Sequence, residues 1–136
     1  MTIDSSLIGK SSTPHTFTVS KEAVRQFMEA TEDPALQYDS LVDYVPPTFP
    51  TIFRVPIAEL EIDTSKMQLL HGEQVYDYTR PLHIGEEVTC IARITDVRQR
   101  EGRSGSMTIL VRELVGTDNE QKPIFTARST SIVRMK

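Results

Sequence analysis

From residue 67 to residue 134 the chain alternates with a period of two, and this constrains its fold more than any other feature. Successive side chains of a strand point to opposite faces, so a sustained alternation of this kind demands a sheet with two different faces. Met67–Thr79 is predicted as one long extended segment, with Gln74, Tyr76 and Tyr78 on one face and Val75 and Asp77 on the other. Pro81–Glu86 then turns around Gly85. Glu87–Arg98 sets Cys90, Ala92 and Ile94 opposite Ile91, Arg93 and Thr95. Arg100–Ser106, with Gly102 and Gly105, reads as a hairpin tip. Ser106–Val115 is the next strand, Gly116–Lys122 another turn, and Ile124–Arg134 the last strand. Four long strands in succession, joined by short turns, predict an antiparallel meander.

The first part of the chain has a different period. Thr16–Val19 is a short extended run. Ser20 is a good N-cap, and Glu22 falls in the first turn, where the helix dipole favours an anion. Val24, Phe27, Met28 and Thr31 lie at i, i+3, i+4 and i+7, and Ala23 and Ala30 widen that stripe. Pro34 disfavours helical geometry at Asp33, so the helix is expected to end near Glu32. The segment DYVPPTFPT, Asp43–Thr51, is neither helix interior nor central strand, because proline fixes φ and donates no hydrogen bond. It predicts a stiff loop in which Thr48 and Phe49 line a slot for an apolar ligand with a polar handle. Phe49 has two readings here, the wall of that slot or a plug at the end of the core. One helix laid over a curled antiparallel sheet gives an α+β architecture.

Composition narrows the class. A chain of 136 residues with 38% hydrophobic and 25% charged residues is expected to form one soluble domain with a real core. A net charge of −4 disfavours a nucleic-acid surface. Cys90 is the single cysteine, which excludes an internal disulfide and a cysteine-rich metal site. No apolar run approaches the roughly 18 residues that suggest a membrane span. The start, MTIDSSLIGKSS, lacks the charged and apolar blocks of a signal peptide, so a cytoplasmic location is expected.

Four segments, taken in order, resemble a known family: the helix end EATEDP (Glu29–Pro34), the loop VPPTFPT (Val45–Thr51), LLHGEQVYDYTRPLHIGEEV (Leu69–Val88) and TARSTSIVR (Thr126–Arg134). Together they resemble the hot-dog fold, in which a long antiparallel sheet wraps one central helix. More specifically they resemble the MaoC-type dehydratase/hydratase group and its N-terminal, A-type half-unit. The resemblance implies addition or removal of water across the α,β-bond of an acyl thioester, carried on coenzyme A or an acyl carrier protein, with no further cofactor and no metal. In that family an Asp and a His of a G-D-x-N-P-x-H motif move the protons. Such chemistry needs an acid/base pair in hydrogen-bond reach and N–H groups facing the thioester oxygen.

The chain departs from the motif at both reacting positions. Alignment on Pro34 puts Ala30 at the glycine, Thr31 at the Asp and Leu36 at the His. A shift of one residue supplies Glu32 or Asp33 as a carboxylate and still no histidine. The resemblance therefore carries fold and ligand class, and the candidate catalytic groups are His71, Asp33 and Glu32. The candidate binding residues are Pro46, Pro47, Thr48, Phe49, His71 and Gly72.

Each candidate has a plainer reading beside it. His71 is either an acid/base or a strand histidine bonded to a neighbour. His83 lies in a turn, and His15 precedes the first strand; neither has metal-ligand spacing to another donor. Tyr76 and Tyr78 share a face, as a packing pair or as a catalytic phenol. Arg98, Arg100 and Arg103 crowd a hairpin tip, either solvated or meeting a phosphate or an acidic carrier. Cys90 lies mid-strand without a base, as a buried thiol. A curled sheet leaves an unpaired edge, so the expected partner is a second hot-dog subunit in a homodimer or heterodimer. The alternatives are a self-sufficient hydratase or thioesterase and a non-enzymatic binder of acyl thioesters.

Overall fold

Ser20 starts the helix as its spacing implies. In the computed structural model, which describes residues 3–38, 43–103 and 105–136, helix α1 spans Lys21–Ala30 and the Ser20 hydroxyl accepts from the Ala23 N–H at 3.1 Å. Val24 and Met28 are buried and Phe27 is half-buried. Ala30 and Thr31 are exposed, so the apolar stripe is narrower than the spacing predicts. The helix also ends earlier than Glu32. Thr31 turns its hydroxyl back onto the Phe27 carbonyl at 3.0 Å, and Glu32 adopts a left-handed backbone with φ of 54°. The chain then forms a short 3-10 turn over Pro34–Gln37, and a second over Phe49–Ile52 inside the proline loop. Among the described residues no helix is long and apolar enough to cross a membrane.

Among the described residues five strands form one antiparallel sheet: β1 (His15–Thr18), β2 (Met67–Tyr78), β3 (Glu87–Gly102), β4 (Gly105–Thr117) and β5 (Pro123–Met135). Their order is β1-β3-β4-β5-β2. The expected meander is corrected at one place. β3, β4 and β5 follow it, but β2 lies beside β5, with Tyr78 opposite Phe125. β2 and β3 are thus three strand spacings apart across the sheet, roughly 14 Å. The stretch 79–86 spans that gap. It is held there by the Thr79 N–H on the Ile124 carbonyl at 2.7 Å and by Arg80 on Glu86 at 2.8 Å. The turns are also tighter than expected. β3 runs to Gly102 and β4 starts at Gly105, where φ is 107°, so Arg98 and Arg100 stand in strand and Arg103 in the turn. β4 extends through Gly116 to Thr117, and the following turn is built on Asp118, whose carboxylate accepts from the Glu120 and Lys122 N–H groups.

Register fixes which side chains meet on the inner face. Cys90, Gly116, Phe125 and Tyr78 form one row across the sheet; Ala92, Leu114, Ala127 and Tyr76 form the next. Ile94, Arg112, Ser129 and Gln74 follow. Bulges at Ile94/Asp96 and His71/Glu73 then keep Val97, Leu110, Ser131 and His71 in register. The helix reaches this face through a chain of rings. Phe27 meets Phe49 edge-on at 5.6 Å, Phe49 meets Phe53 likewise, and Phe53 stacks on Phe17 at 4.7 Å and on Phe125 at 6.3 Å. Such pairs add about 0.5–1.5 kcal/mol each beyond area burial. The result is the hot-dog arrangement, a curled sheet packed on one central helix.

Candidate functional site

Two tyrosines of β2 hold the proline loop. The Tyr78 hydroxyl donates to the Pro47 carbonyl at 2.6 Å, and the Tyr76 hydroxyl bonds the Thr51 hydroxyl and, at 3.5 Å, the Thr48 carbonyl. Burial, with a smaller contribution from Tyr76, pushes the Tyr78 phenol far above its ordinary value, so it remains a neutral donor. At the start of the loop Asp43 accepts from the Ile84 N–H and bonds the His83 imidazole, both at 2.8 Å. His83, together with the N–H from Ile84, holds the Asp43 carboxyl below its ordinary value. The pair of tyrosines is therefore a clamp, and His83 a brace at the surface.

The end of α1 is occupied by capping. Thr31 spends its hydroxyl on the helix, and Asp33 accepts from the Ala35 N–H at 2.9 Å as cap of the next turn. Glu32 and Leu36 are exposed. Thr31 and Leu36 are the positions that alignment on Pro34 sets against the Asp and His of the motif.

A cavity of about 550 Å³ lies between residues 50–56 and the inner face of the sheet. Pro50, Thr51, Phe53 and Val55 form its loop side. His71, Gln74 and Tyr76 border it on β2, the edge strand, while Ala92, Leu114 and Ala127 form an apolar floor beside Arg112 and Ser129. Of the residues expected at the site, His71 lines this cavity. Pro46, Pro47, Thr48, Phe49 and Gly72 do not line it, nor do Glu32 and Asp33. Phe49 is fully buried among the rings. Gly72 sits in the β2 bulge, where a Cβ would come within 3.2 Å of the Thr130 carbonyl oxygen. The cavity thus meets the end of the proline loop, at Pro50 and Thr51, and the residues that follow it.

Arg112 went unnoticed in the sequence. Its Nη2 donates to the Val55 carbonyl at 2.6 Å, and among the described residues no carboxylate lies within ion-pair distance. Burial pulls the guanidinium below its usual value. The available signal was the alternation of β4: Leu110, Arg112, Leu114 and Gly116 share the inner face, and one of the four is charged. The remaining candidates are peripheral. His15 bonds the Thr13 carbonyl at 3.0 Å, and Arg98 pairs with Asp96 at 2.9 Å. Arg100 and Arg103 are exposed. Burial pushes the Cys90 thiol up to about 12, and it is fully enclosed. Among the described residues no three His, Cys, Asp or Glu side chains cluster to hold a metal.

Known proteins place this architecture. Residues 6–127 match the model of the FAS1-like, dehydratase domain region. A UPF0336 protein of Thermobifida fusca (strain YX) is 30% identical over 135 residues, covering 89% of this chain and 86% of the relative. The C-terminally truncated HadBC (3R-hydroxyacyl-ACP dehydratase) complex of Mycobacterium tuberculosis matches in fold with a TM-score of 0.70 and 21% identity, over 93% of this chain and 96% of that one. A MaoC-like dehydratase from Phytophthora capsici matches with a TM-score of 0.71 and 18% identity, over 97% of this chain and 49% of that one. Matched over most of its length, the chain belongs to the family of the FAS1-like dehydratase domain region, hot-dog proteins of the MaoC-like dehydratase/hydratase kind.

Proposed function

We propose that this chain is the acyl-thioester-binding subunit of a (3R)-hydroxyacyl dehydratase or enoyl hydratase, working on substrates carried by coenzyme A or an acyl carrier protein. Its acid/base pair comes from a second hot-dog subunit. One observation carries this reading: just past the end of α1 the Thr31 hydroxyl and the Asp33 carboxylate are committed to capping, and Leu36 stands where the motif's histidine would fall. Dehydration needs one group to take the α-proton and another to protonate the leaving hydroxyl. Leucine transfers no proton, and threonine is too weak an acid for the task. The HadBC match, itself a complex of a dehydratase, and the match to half of a longer MaoC-like chain both suit a subunit that works beside another. The long edge of β2, which borders the cavity, is where such a partner would add its strand.

The test is turnover of a crotonyl-type thioester. The chain alone is expected to be inactive, and activity is expected when it is combined with a hot-dog chain carrying an intact G-D-x-N-P-x-H segment. Turnover by the purified chain alone, abolished by His71→Ala, would establish a self-sufficient hydratase or thioesterase instead. That second reading has its own support, because His71 borders the cavity. Binding without turnover in any combination would leave a non-enzymatic acyl-thioester binder.

A further inference from the structure

Arg112 stands on the apolar inner face of β4, and among the described residues it has no anionic partner. Its Nη2 is used by the Val55 carbonyl; its Nε and Nη1 have no acceptor among the described residues. A guanidinium offers five N–H donors in a planar fork that matches a carboxylate, and taking such a charge out of water is costly unless it is paired. Around it the cavity lining holds a second guanidinium, Arg54, although the chain's net charge is −4. His71 also lines the cavity, and Gln74 and Ser129 lie in the same cross-strand row as Arg112. Glu113 is the lining residue with a carboxylate. By alternation its side chain belongs to the other face, where it stands opposite Arg93 and Arg128. The rest of the lining is largely apolar, from Phe53 and Val55 above to Leu114 and Ala127 below.

We infer that this cavity takes a ligand with an apolar body and a carboxylate, and that Arg112 is the residue that seats the carboxylate. The inference rests on the acyl-thioester reading and names the substrate class within it: an acyl chain ending in a second carboxylate, delivered as its thioester, or the corresponding free acid. The two sources share one chemistry and differ in whether a thioester is present.

The experiment compares binding of hexanoyl-pantetheine, its ω-carboxy analogue adipoyl-pantetheine, octanoate and octanol by calorimetry. It uses the native chain, Arg112→Met, which keeps the side chain's length without its charge, and Arg112→Lys. The adipoyl thioester is expected to bind at least about tenfold more tightly than the hexanoyl thioester, the size expected of a hydrogen bond to a charged group. Octanoate is expected to exceed octanol similarly. Arg112→Met is expected to remove both preferences, read as the ratio of charged to neutral affinity within each variant; Arg112→Lys is expected to keep part of each. Equal binding of the charged and neutral thioesters would overturn the inference while leaving the acyl-thioester reading standing. Arg112-dependent binding of octanoate, with neither thioester bound, would uphold the carboxylate seat with the free acid as ligand and defeat the thioester reading. A preference that persists in Arg112→Met, or failure of all four ligands to bind, would overturn the inference. Circular dichroism melts of each variant show whether the cavity is still folded when binding is measured.

Discussion

Gly116→Ala tests the packing that holds the sheet against the helix. Gly116 lies in the row Cys90–Gly116–Phe125–Tyr78, directly beside Phe125. A Cβ at residue 116 would lie 2.3 Å from Cε1, 2.7 Å from Cζ and 2.9 Å from Cδ1 of that ring. Three ring atoms stand inside the contact limit, so no rotation of a side-chain tip relieves the overlap. The ring is also blocked behind: Phe125 is 1% exposed, with Phe53 at 6.3 Å and Tyr78 at 5.8 Å. Insertion of a methyl into such packing costs about 1–3 kcal/mol. Against it stands the loss of unfolded-state entropy on replacing glycine by alanine, a gain of about 0.4–1 kcal/mol. The expected net loss is about 1–2 kcal/mol, or a fall in Tm of roughly 3–8 °C for a domain of this size. Thermal melts followed by circular dichroism at a fixed protein concentration measure it. Phe125→Leu in the same background supplies a double-mutant cycle, in which the smaller side chain should remove most of the penalty of the added methyl. A Tm for Gly116→Ala equal to or above the native value, or strictly additive single and double variants, would refute the account of a ring fitted over a bare backbone.

Removing the hydroxyl in Tyr78→Phe frees the Pro47 carbonyl and is expected to cost about 0.5–1.5 kcal/mol, with faster amide exchange across 43–53 as the second readout. Cys90 should resist iodoacetamide at neutral pH and react only as the chain unfolds; its folded value near 12 also means that its contribution to stability is intact below its ordinary 9.0 and declines as pH rises from there toward 12. The acid limb has the opposite sign. Asp43, held down by His83 and Ile84, and Glu86, raised by burial but brought lower overall by Arg80 and the His83 N–H, stabilise the fold above their ordinary values of 3.8 and 4.5, and melts should weaken as pH falls through and below that range. Asp43→Asn should flatten the lower part of that dependence. On the β2 edge, Leu69 and Leu70 are 45% and 40% exposed, and Leu70→Lys should lower the sedimentation mass of any dimer formed there while leaving the melting of the lone chain within about 0.5 kcal/mol. A dimer of unchanged mass would place the joint elsewhere.

The sheet was legible because alternation is a direct record of facing. Cys90, Ala92 and Ile94 are all buried, and the intervening Ile91 and Arg93 are exposed. The helix was legible from Ser20 and the spacing of Val24 and Met28. Strand order was not, because alternation says which face a residue takes and nothing about which strand lies beside it. β2 therefore looked like the neighbour of β3, when the crossing at 79–86 carries the chain from the β2 edge past β5 and β4 to β3, one strand in from the opposite edge. Its crossing contacts, Thr79 to Ile124 and Arg80 to Glu86, join residues that no local pattern relates. The site divides in the same way. The stiffness of Val45–Thr51 followed from its prolines, but its partner did not: Tyr78 meets Pro47 only because β2 pairs with β5.

Loop, cavity and edge belong to one construction. The tyrosines that clamp residues 47–51 stand on the same inner face of β2 as Gln74, and beyond the bulge His71 continues that row. Clamping the loop at Pro47 and Thr51 holds the following residues, 50–56, above the sheet instead of collapsed onto it, and Arg112 fixes the far side of the gap through Val55. An apolar floor alone would favour closure of that gap by ordinary packing. A charged side chain in the floor opposes closure, since a collapsed loop would bury the guanidinium further from water. The rings from Phe27 to Phe125 fill the neighbouring space, and the cavity lies over the row of Ala92, Leu114, Ala127 and Tyr76 and the row of Arg112, Ser129 and Gln74. Because that opening borders the strand whose outer edge is unpaired in the sheet, a second chain joined there brings its own side chains to the cavity mouth. Under the proposed function, such a joint would bring a binding half and a catalytic half together over the same ligand.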